Sequence, residues 1–413
     1  MKENKVQKKG TSLLWFEPDE VERLSREVIY MDQAATTYPK PDAVCQAMDE
    51  VNRYLSVNTG RGSYQLAQIA VEGMDAVREE LLQIIHATQQ ADVVFSASAT
   101  MAMNQIIGGR ILSQRDRVYV SPFLHNAVMR TLWKEQQKCG YVIEILPLTV
   151  DKREIDLEKT KFLFSQKPPT YVFCSHVCNV TGYEVPVEEI YQCAKEASQG
   201  EAVVVIDAAQ SFGVLPIDYR KTPYDAIVFA GHKTLYGPFG IAGFIKKSDF
   251  SLHPFIAGGT GSDSLKVEMP QQLPVALEPG SPNITAIAGL YGALQFRKEI
   301  GEAQLLAHER ALTKQLLEGL RAMEDVVILG DYGEKQLGIV SFGIRGYRAD
   351  EVGMLLEEDY NIAVRTGYHC APLIHEYLQD EEYGGTVRVS VGWFNTEEDV
   401  ERLLEAVEEI AEG

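Results

Sequence analysis

Short apolar runs alternate with longer amphipathic stretches through the middle of the chain. The apolar runs, rich in β-branched residues, predict strands at 93–95, 117–120, 141–145, 171–174, 202–206, 226–229 and 241–244. Several lack polar alternation, which is typical of strands covered by helices on both faces. The amphipathic stretches between them, such as 125–138 and 187–198, predict helices. This alternation indicates an α/β fold with a mostly parallel, doubly wound sheet, in which ligands bind at the carboxyl ends of the strands.

The pattern changes after residue 286. Two helices are predicted by leucine-rich faces over 305–323 and 400–410, and short strands by apolar runs at 338–342 and 386–390. We therefore expect a large domain over 30–286 and a smaller α+β domain over 287–413 that packs with the N-terminal segment. Residues 1–29 form an N-terminal extension, in which 17–28 predict a short helix docked on the smaller domain. The Pro/Gly-rich stretch 254–282 predicts an active-site or interface loop.

Charge and composition exclude several classes of partner. The 413 residues carry 39 basic and 59 acidic side chains, a net charge of −20. Such a field repels phosphate backbones and anionic headgroups, so neither nucleic acid nor a membrane surface is an expected partner. No apolar run is long enough to span a bilayer. No hydrophobic secretory segment follows the basic start, so we expect a cytoplasmic protein.

Six cysteines in a chain of this length do not predict a disulfide framework. Five lie in apolar or helical contexts typical of inert, buried thiols: Cys45, Cys139, Cys174, Cys178 and Cys193. The spacing of Cys174, His176 and Cys178 matches no paired metal-ligand motif, so no metal site is expected.

Two polar residues follow neighbouring apolar strands. Lys233 comes just after the run 226–229, where an amine has a chemical use if it forms a Schiff base with an aldehyde cofactor. Asp207 ends the run 202–206 and is suited to pair with the protonated ring nitrogen of pyridoxal phosphate (PLP). The alternatives are a lysine that extends from the sheet to solvent and an aspartate that caps the next helix.

A phosphate site is predicted at the start of another helix. Ser98, Ala99 and Thr100 follow the strand at 93–95 and open a helical run. Backbone N–H groups and hydroxyls at such a position bind anions, although the same residues also serve as simple helix caps.

These residues belong to an ordered set of motifs. The chain resembles the fold-type I, class V PLP enzymes, and within them the group II cysteine desulfurases, which include selenocysteine lyases. The resemblance runs from about Tyr30 to Ile410. Its markers are residues 31–37 (MDQAATT), 58–62 (NTGRG), 125–128 (HNAV), 176–182 (HVCNVTG), 207–210 (DAAQ), 231–233 (GHK), 280–283 (GSPN) and 365–372 (RTGYHCAP).

The resemblance implies a role in cofactor binding for each of ten residues. Lys233 would be the Schiff-base lysine, Asp207 the partner of the ring nitrogen, and His125 a ring stacked on the cofactor. The remaining residues would bond the phenolic oxygen (Asn179 and Gln210) or hold the phosphate (Ser98, Ala99, Thr100, His232 and, from a second subunit, Ser281). The alternatives are a turn residue for Asn179 and a helix-start residue for His125.

Arginines are implied on the substrate side. Arg388 would bind the substrate α-carboxylate, because a guanidinium bonds both oxygens at once. Arg365 would lie nearby, with Arg61 and Ala34 also touching the substrate. The alternative for these arginines is a surface or interface ion pair, which fits Arg61 better than Arg365 or Arg388. The family shares its active site across a dimer, so a homodimer is implied.

Cys370 is the discriminating residue. The resemblance implies a thiol that attacks the sulfur of bound cysteine, with Arg365 and His369 favouring the thiolate. The alternative is an unreactive buried cysteine. Three positions differ from the family pattern: Met101 stands where glutamate is frequent, Ala230 where serine is frequent, and Tyr368 where histidine is frequent.

The function implied is that of a PLP-dependent cysteine desulfurase. It would convert L-cysteine to L-alanine, leaving a persulfide on Cys370 for a sulfur-acceptor protein. The alternatives are a selenocysteine lyase, a cysteine sulfinate desulfinase, another C–S lyase or aminotransferase of this class, and a catalytically silent PLP-binding scaffold.

Overall fold

The computed structural model of the chain describes residues 15–60, 62–110, 112–262 and 264–413. The helices are α1 (Pro18–Glu27), α2 (Asp42–Tyr54), α3 (Gln65–Ile84), α4 (Ala99–Gly108), α5 (Asn126–Cys139), α6 (Leu157–Gln166), α7 (Val187–Ala197), α8 (Ile284–Ile300), α9 (Glu302–Ala322), α10 (Ala349–Tyr360), α11 (Ile374–Leu378) and α12 (Glu397–Glu412). The strands are β1 (Ile29–Tyr30), β2 (Ala91–Ser96), β3 (Arg117–Val120), β4 (Val142–Ile145), β5 (Tyr171–Ser175), β6 (Val203–Asp207), β7 (Ala226–Ala230), β8 (Ala242–Lys247), β9 (Val326–Ile328), β10 (Ile339–Ile344), β11 (Ile362–Ala363), β12 (Arg365–Gly367) and β13 (Thr386–Ser390).

A seven-stranded sheet forms the centre of the molecule. Its order is β2-β8-β7-β6-β5-β3-β4, and only β8 runs antiparallel to its neighbours. Along β6, Val204 and Ile206 pack into one apolar cluster, and Val203 and Val205 into another. Both faces of the sheet are therefore buried, which explains why these strands lack polar alternation. The predicted doubly wound α/β fold is confirmed.

A second, antiparallel sheet has the order β12-β13-β10-β9. Helices α9, α10 and α12 cover one face of it, and their leucines share an apolar cluster with Val340 and Phe342 of β10. Helix α12 begins at a capping box between Thr396 and Asp399, which satisfies the first N–H groups of the helix.

The N-terminal segment joins this second sheet. Strand β1 pairs in parallel with β11, and Asp32 forms a bridge with Ser390 at the end of β13. Helix α1 forms as predicted, but it buries none of its residues, so the expected docking is wrong. The division into domains at 286/287 stays a prediction, and its boundary falls inside α8.

The cysteines differ in exposure. Cys174 and Cys178 are buried, Cys139 and Cys193 are intermediate, and Cys370 is exposed. The expectation of burial is wrong for Cys45, which is exposed on α2. Among the described residues, no helix combines the length and apolarity needed to cross a membrane.

Glu309 is a buried carboxyl group on α9 whose ionisation opposes folding. Burial raises its pKa to about 8, against the opposing effects of Arg297, Arg310 and a hydrogen bond with Tyr236. The pKa of this carboxyl group is higher in the folded state than in the unfolded state. Its contribution to stability is complete at pH values below the unfolded-state pKa, and it is lost as pH rises through the folded-state pKa.

We therefore expect the free energy of unfolding of Glu309→Gln, relative to that of the wild type, to increase by about 2–4 kcal/mol as pH rises from 5 to 9. Urea unfolding across this pH range measures the difference. Glu318→Gln, at an exposed position on the same helix, is the matched control. Parallel pH profiles for the Glu309 variant and the wild type would contradict the prediction.

Candidate active site

A cavity of about 230 Å³ opens at the carboxyl ends of the central strands. Nine of the ten residues predicted to bind the cofactor line it: Ser98, Ala99, Thr100, His125, Asn179, Asp207, Gln210, His232 and Lys233. Ser281 does not line it. That side chain is exposed, and its hydroxyl accepts a hydrogen bond from Asn58 at 3.3 Å.

Lys233 lies in the turn that follows β7. Gly231 is required there, because a Cβ at this position would lie 2.6 Å from the carbonyl oxygen of Ile241. The Lys233 carbonyl accepts the N–H of Tyr236 at 2.7 Å, which closes the turn. Burial lowers the pKa of Lys233 to about 8, although Asp207 opposes the shift. The amine is therefore neutral in about one molecule in ten at pH 7, far more often than an ordinary lysine.

Asp207 is the last residue of β6, next to β7 in the sheet. Its side chain is buried, and its Oδ1 accepts the N–H of Ala209 at 3.1 Å. Burial raises the pKa of Asp207, while this hydrogen bond and the charge of Lys233 act in the opposite direction. A buried carboxylate with one hydrogen bond retains acceptor capacity for a protonated ring nitrogen.

The opposite end of the cavity suits an anion. Helix α4 begins at Ala99 and Thr100, whose N–H groups have no acceptor within the helix. Ser98 caps this helix by accepting the N–H of Met101 at 3.2 Å. The Nδ1 of His232 is buried without a partner in the described residues, and burial lowers its pKa to about 4.

His125 is the residue before α5. Its Nδ1 accepts the N–H of Ala127 at 3.0 Å, which leaves Nε2 to carry the proton of the neutral ring. Burial, with the charge of Lys233, lowers the pKa of His125 to about 4, so the ring is neutral at pH 7.

Two amides complete the cavity wall. Asn179 donates from Nδ2 to the His369 carbonyl at 2.7 Å, and its Oδ1 is buried without a partner in the described chain. Gln210 donates to the carbonyl of Ala34 at 2.8 Å. Ala34 is therefore beside the cavity wall, although it is not among the lining residues. Together with the helix start and the unpartnered His232, these groups fit a phosphorylated, aldehyde-bearing aromatic cofactor such as PLP.

The predicted carboxylate-binding arginines share an acidic partner. Asp32 accepts hydrogen bonds from Arg388 Nη2 at 2.7 Å and from Arg365 Nε at 3.0 Å. Arg388 also donates from Nη1 to the Asn179 carbonyl at 2.9 Å, while its buried Nε has no partner in the described residues. Arg61 lies outside the described residues.

The sequence reading missed Asp32, although this residue lies within the marker 31–37. Arg365 and Arg388 lie directly opposite each other on β12 and β13. Like charges at opposed positions of a sheet repel each other, so an acid between them stabilises the pair. Only the strand register shows that Arg365 and Arg388 require an acid between them.

Cys370 is exposed on the loop that follows β12. His369 and Cys370 both adopt left-handed backbone conformations, with φ values of 46° and 59°. His369 is hydrogen-bonded to the hydroxyl of Thr386 at 2.8 Å, and burial with the charge of Arg388 lowers its pKa to about 2. A neutral His369 does not supply the positive charge expected of it. Arg365 remains the cation in electrostatic contact with Cys370.

The comparisons with known proteins agree on one family. The model of the family "Aminotransferase class-V" matches residues 29–403. A probable cysteine desulfurase of Halalkalibacterium halodurans is 31% identical over 392 residues, which are 93% of each chain. A cysteine desulfurase of Klebsiella pneumoniae is 30% identical over 401 residues, covering 94% of this chain and 95% of its own.

Solved structures are similar across almost the whole chain. A cysteine desulfurase from Thermococcus onnurineus superposes with a TM-score of 0.85 at 29% identity, covering 97% of this chain and 99% of its own. The cysteine desulfurase CsdA from Escherichia coli gives a TM-score of 0.79 at 25% identity, with 96% and 99% coverage.

Proposed function

Because the chain belongs to the class-V aminotransferase family, we propose that it is a PLP-dependent cysteine desulfurase. The relatives of similar length that bear this name support the proposal. The observation that carries it is the attachment of the Cys370 loop to the cavity wall. Asn179 donates to the carbonyl of His369, and the N–H of Asn126 donates to that of Cys370.

PLP, when bound, supplies an electron sink for the α-carbon of an amino acid joined to its aldehyde. The start of α4 and His232 would hold the phosphate, and Asp207 would hold the proton on the ring nitrogen. The Nζ of Lys233 would bind the aldehyde and move the α-proton, a task suited to an amine with a pKa near 8.

Arg388 and Arg365 would bind the substrate carboxylate. The two guanidinium groups and Asp32 carry a net charge of +1, which one carboxylate neutralises. The Nε of Arg388, which is buried without a partner in the described residues, would donate to that carboxylate.

Cys370 would take the sulfur. Its thiolate forms an S–S bond with the substrate sulfur as the C–S bond of the substrate breaks. The electron pair of the broken bond stays on the carbon, which gains a proton. L-Cysteine and a thiol thus give L-alanine and a persulfide, with atoms and electrons balanced.

Release of alanine and sulfide from L-cysteine in the presence of dithiothreitol tests this function. The same assay with selenocysteine and cysteine sulfinate, run on the wild type and on Cys370→Ala, distinguishes cysteine desulfurase activity from selenocysteine lyase and sulfinate desulfinase activity. Selenocysteine and cysteine sulfinate react without an essential thiol. Turnover of sulfinate or selenocysteine in both proteins, without turnover of cysteine in either, would reject the proposal. Amino transfer to pyruvate would favour an aminotransferase instead.

The Asp32 carboxylate provides a test of the substrate site. In Asp32→Ala the two arginines lose their shared acceptor, so the productive geometry for the substrate carboxylate is lost. We expect KM for L-cysteine to rise about tenfold, the effect of about 1.4 kcal/mol, with kcat changed less than threefold. Asp32→Asn keeps one oxygen acceptor and should show a smaller rise. An unchanged KM in the alanine variant would contradict this prediction.

We further propose a homodimer, a sulfur-acceptor protein as partner and a cytoplasmic location. The loop 254–282 exposes Leu265 and Val267 almost completely, which favours burial against a second copy. A persulfide-forming thiol must stay reduced, as it does in the cytoplasm. Light scattering on the purified protein tests the dimer, and a monomer at micromolar concentration would reject it.

A further inference from the structure

A buried histidine–aspartate pair lies behind the loop of Cys370. His375 is in α11, and Asp380 follows that helix. The Nδ1 of His375 lies 2.5 Å from Oδ2 of Asp380, and the side chains are 8% and 0% exposed. None of the roles assigned above uses this pair.

The other ring nitrogen of His375 reaches the loop. Its Nε2 lies 2.6 Å from the carbonyl oxygen of Tyr368. Since a carbonyl only accepts, Nε2 carries a proton and donates it. The carboxylate on Nδ1 fixes the orientation of the ring and strengthens this bond. The ring of Tyr368 also packs edge-on against His375, with centroids 4.9 Å apart.

The three hydrogen bonds to the loop form a series. The carbonyl oxygens of Tyr368, His369 and Cys370 accept hydrogen bonds from His375 Nε2, Asn179 Nδ2 and Asn126 N respectively, and the Tyr368 oxygen also accepts the N–H of Ala371 at 3.4 Å within the loop. Asn179 and Asn126 contact the loop from the side of the cavity, whereas His375 contacts it from α11.

The loop has a conformation that needs such support. His369 and Cys370 are consecutive non-glycine residues with positive φ. This backbone region is costly for L-residues, and it persists where surrounding contacts determine it. Loss of the His375 donor would leave the Tyr368 carbonyl, at the start of this strained pair, with only the long 3.4 Å bond from the N–H of Ala371 inside the same loop.

We infer that His375, fixed by Asp380, is a positioning residue that holds the thiol of Cys370 in place for attack on the substrate sulfur. This inference rests on the proposed function, because it concerns the persulfide-forming step. His375 acts through the backbone of the loop and does not itself touch the substrate.

Single-turnover kinetics of the PLP-loaded enzyme tests the inference. Persulfide on Cys370 is quantified by mass spectrometry after alkylation, and cysteine binding is followed through the cofactor absorbance. In His375→Leu we expect the persulfide rate to fall at least tenfold, while the cysteine concentration for half-maximal absorbance change shifts less than twofold. His375→Gln retains an N–H donor and should recover a rate within threefold of the wild type. His253→Leu, at an exposed position, is the matched control and should behave like the wild type.

A second measurement does not depend on activity. Hydrogen exchange of the cofactor-free protein should show residues 366–372 exchanging at least fivefold faster in His375→Leu, with strand β5 unchanged. If that variant does not fold, Asp380→Asn takes its place, with an expected loss of at least threefold in the persulfide rate.

A persulfide rate in His375→Leu within twofold of the wild type would overturn the inference. So would an equal loss in the Leu and Gln variants, because donation to the carbonyl would then be irrelevant. If the wild type forms no persulfide from L-cysteine, the proposed function fails, while the hydrogen-exchange comparison still tests whether His375 holds the loop.

Discussion

Replacement of Lys233 by alanine is expected to remove the absorbance band at about 400–430 nm that marks PLP joined to a protein amine, and to lower L-cysteine turnover at least a thousandfold. Lys233 is a cavity-lining amine whose pKa is lowered by burial, which suits it both to bind the aldehyde and to move the α-proton. Two functions are lost with one side chain, so a loss of more than about 4 kcal/mol in transition-state stabilisation follows.

The variant should still bind PLP without a covalent bond. The phosphate end of the cavity, formed by the start of α4 and by His232, does not involve the Lys233 amine. Lys233→Arg keeps a positive charge but not the nucleophilic amine, so it should match the alanine variant in both absorbance and turnover. Lys298→Ala, which removes an exposed ion pair with Glu80, is the control for lysine loss in general. Retention of the band in Lys233→Ala would refute the assignment.

Replacement of Cys370 by alanine should abolish L-cysteine turnover, with a loss of at least a hundredfold, while the absorbance band stays intact. The thiol is exposed on a loop attached to the cavity wall, and it has no role in holding the cofactor in this assignment. Absorbance spectroscopy and alanine release on the same sample measure both outcomes.

Cys45 offers a matched control for this experiment, because it is the other exposed cysteine of the chain. Cys45→Ala should retain wild-type turnover. Unchanged cysteine turnover in Cys370→Ala would remove the nucleophile from the mechanism and favour the alternatives that need no thiol. Loss of the absorbance band in that variant would instead mean that Cys370 supports cofactor binding.

The central sheet could be predicted from the sequence because its inner strands β5, β6 and β7 are buried along their whole length. All seven apolar runs correspond to strands, with ends that differ by at most a few residues. Because ligands bind at the carboxyl ends of the strands in such a sheet, Asp207 and Lys233 could be assigned to one site. The helix start at Ala99 indicated where that site would bind an anion.

What the sequence could not reveal depends on pairings between distant segments. Asp32 was missed because the two arginines need an acidic partner only when the strand register places Arg365 opposite Arg388. The neutrality of His369 follows from burial that no local pattern indicates. The link between His375 and Tyr368 was missed for the same reason, since it depends on the path of a loop with positive φ values.

The two-residue strand β1 has a practical consequence for protein engineering. It delivers Asp32 to the arginines from a segment far from them in sequence, through pairing with β11. A shortened chain that starts beyond this strand is expected to lose the pairing that places Asp32 beside the arginines. Its affinity for the substrate carboxylate should then fall, so changes at the amino terminus alter substrate affinity.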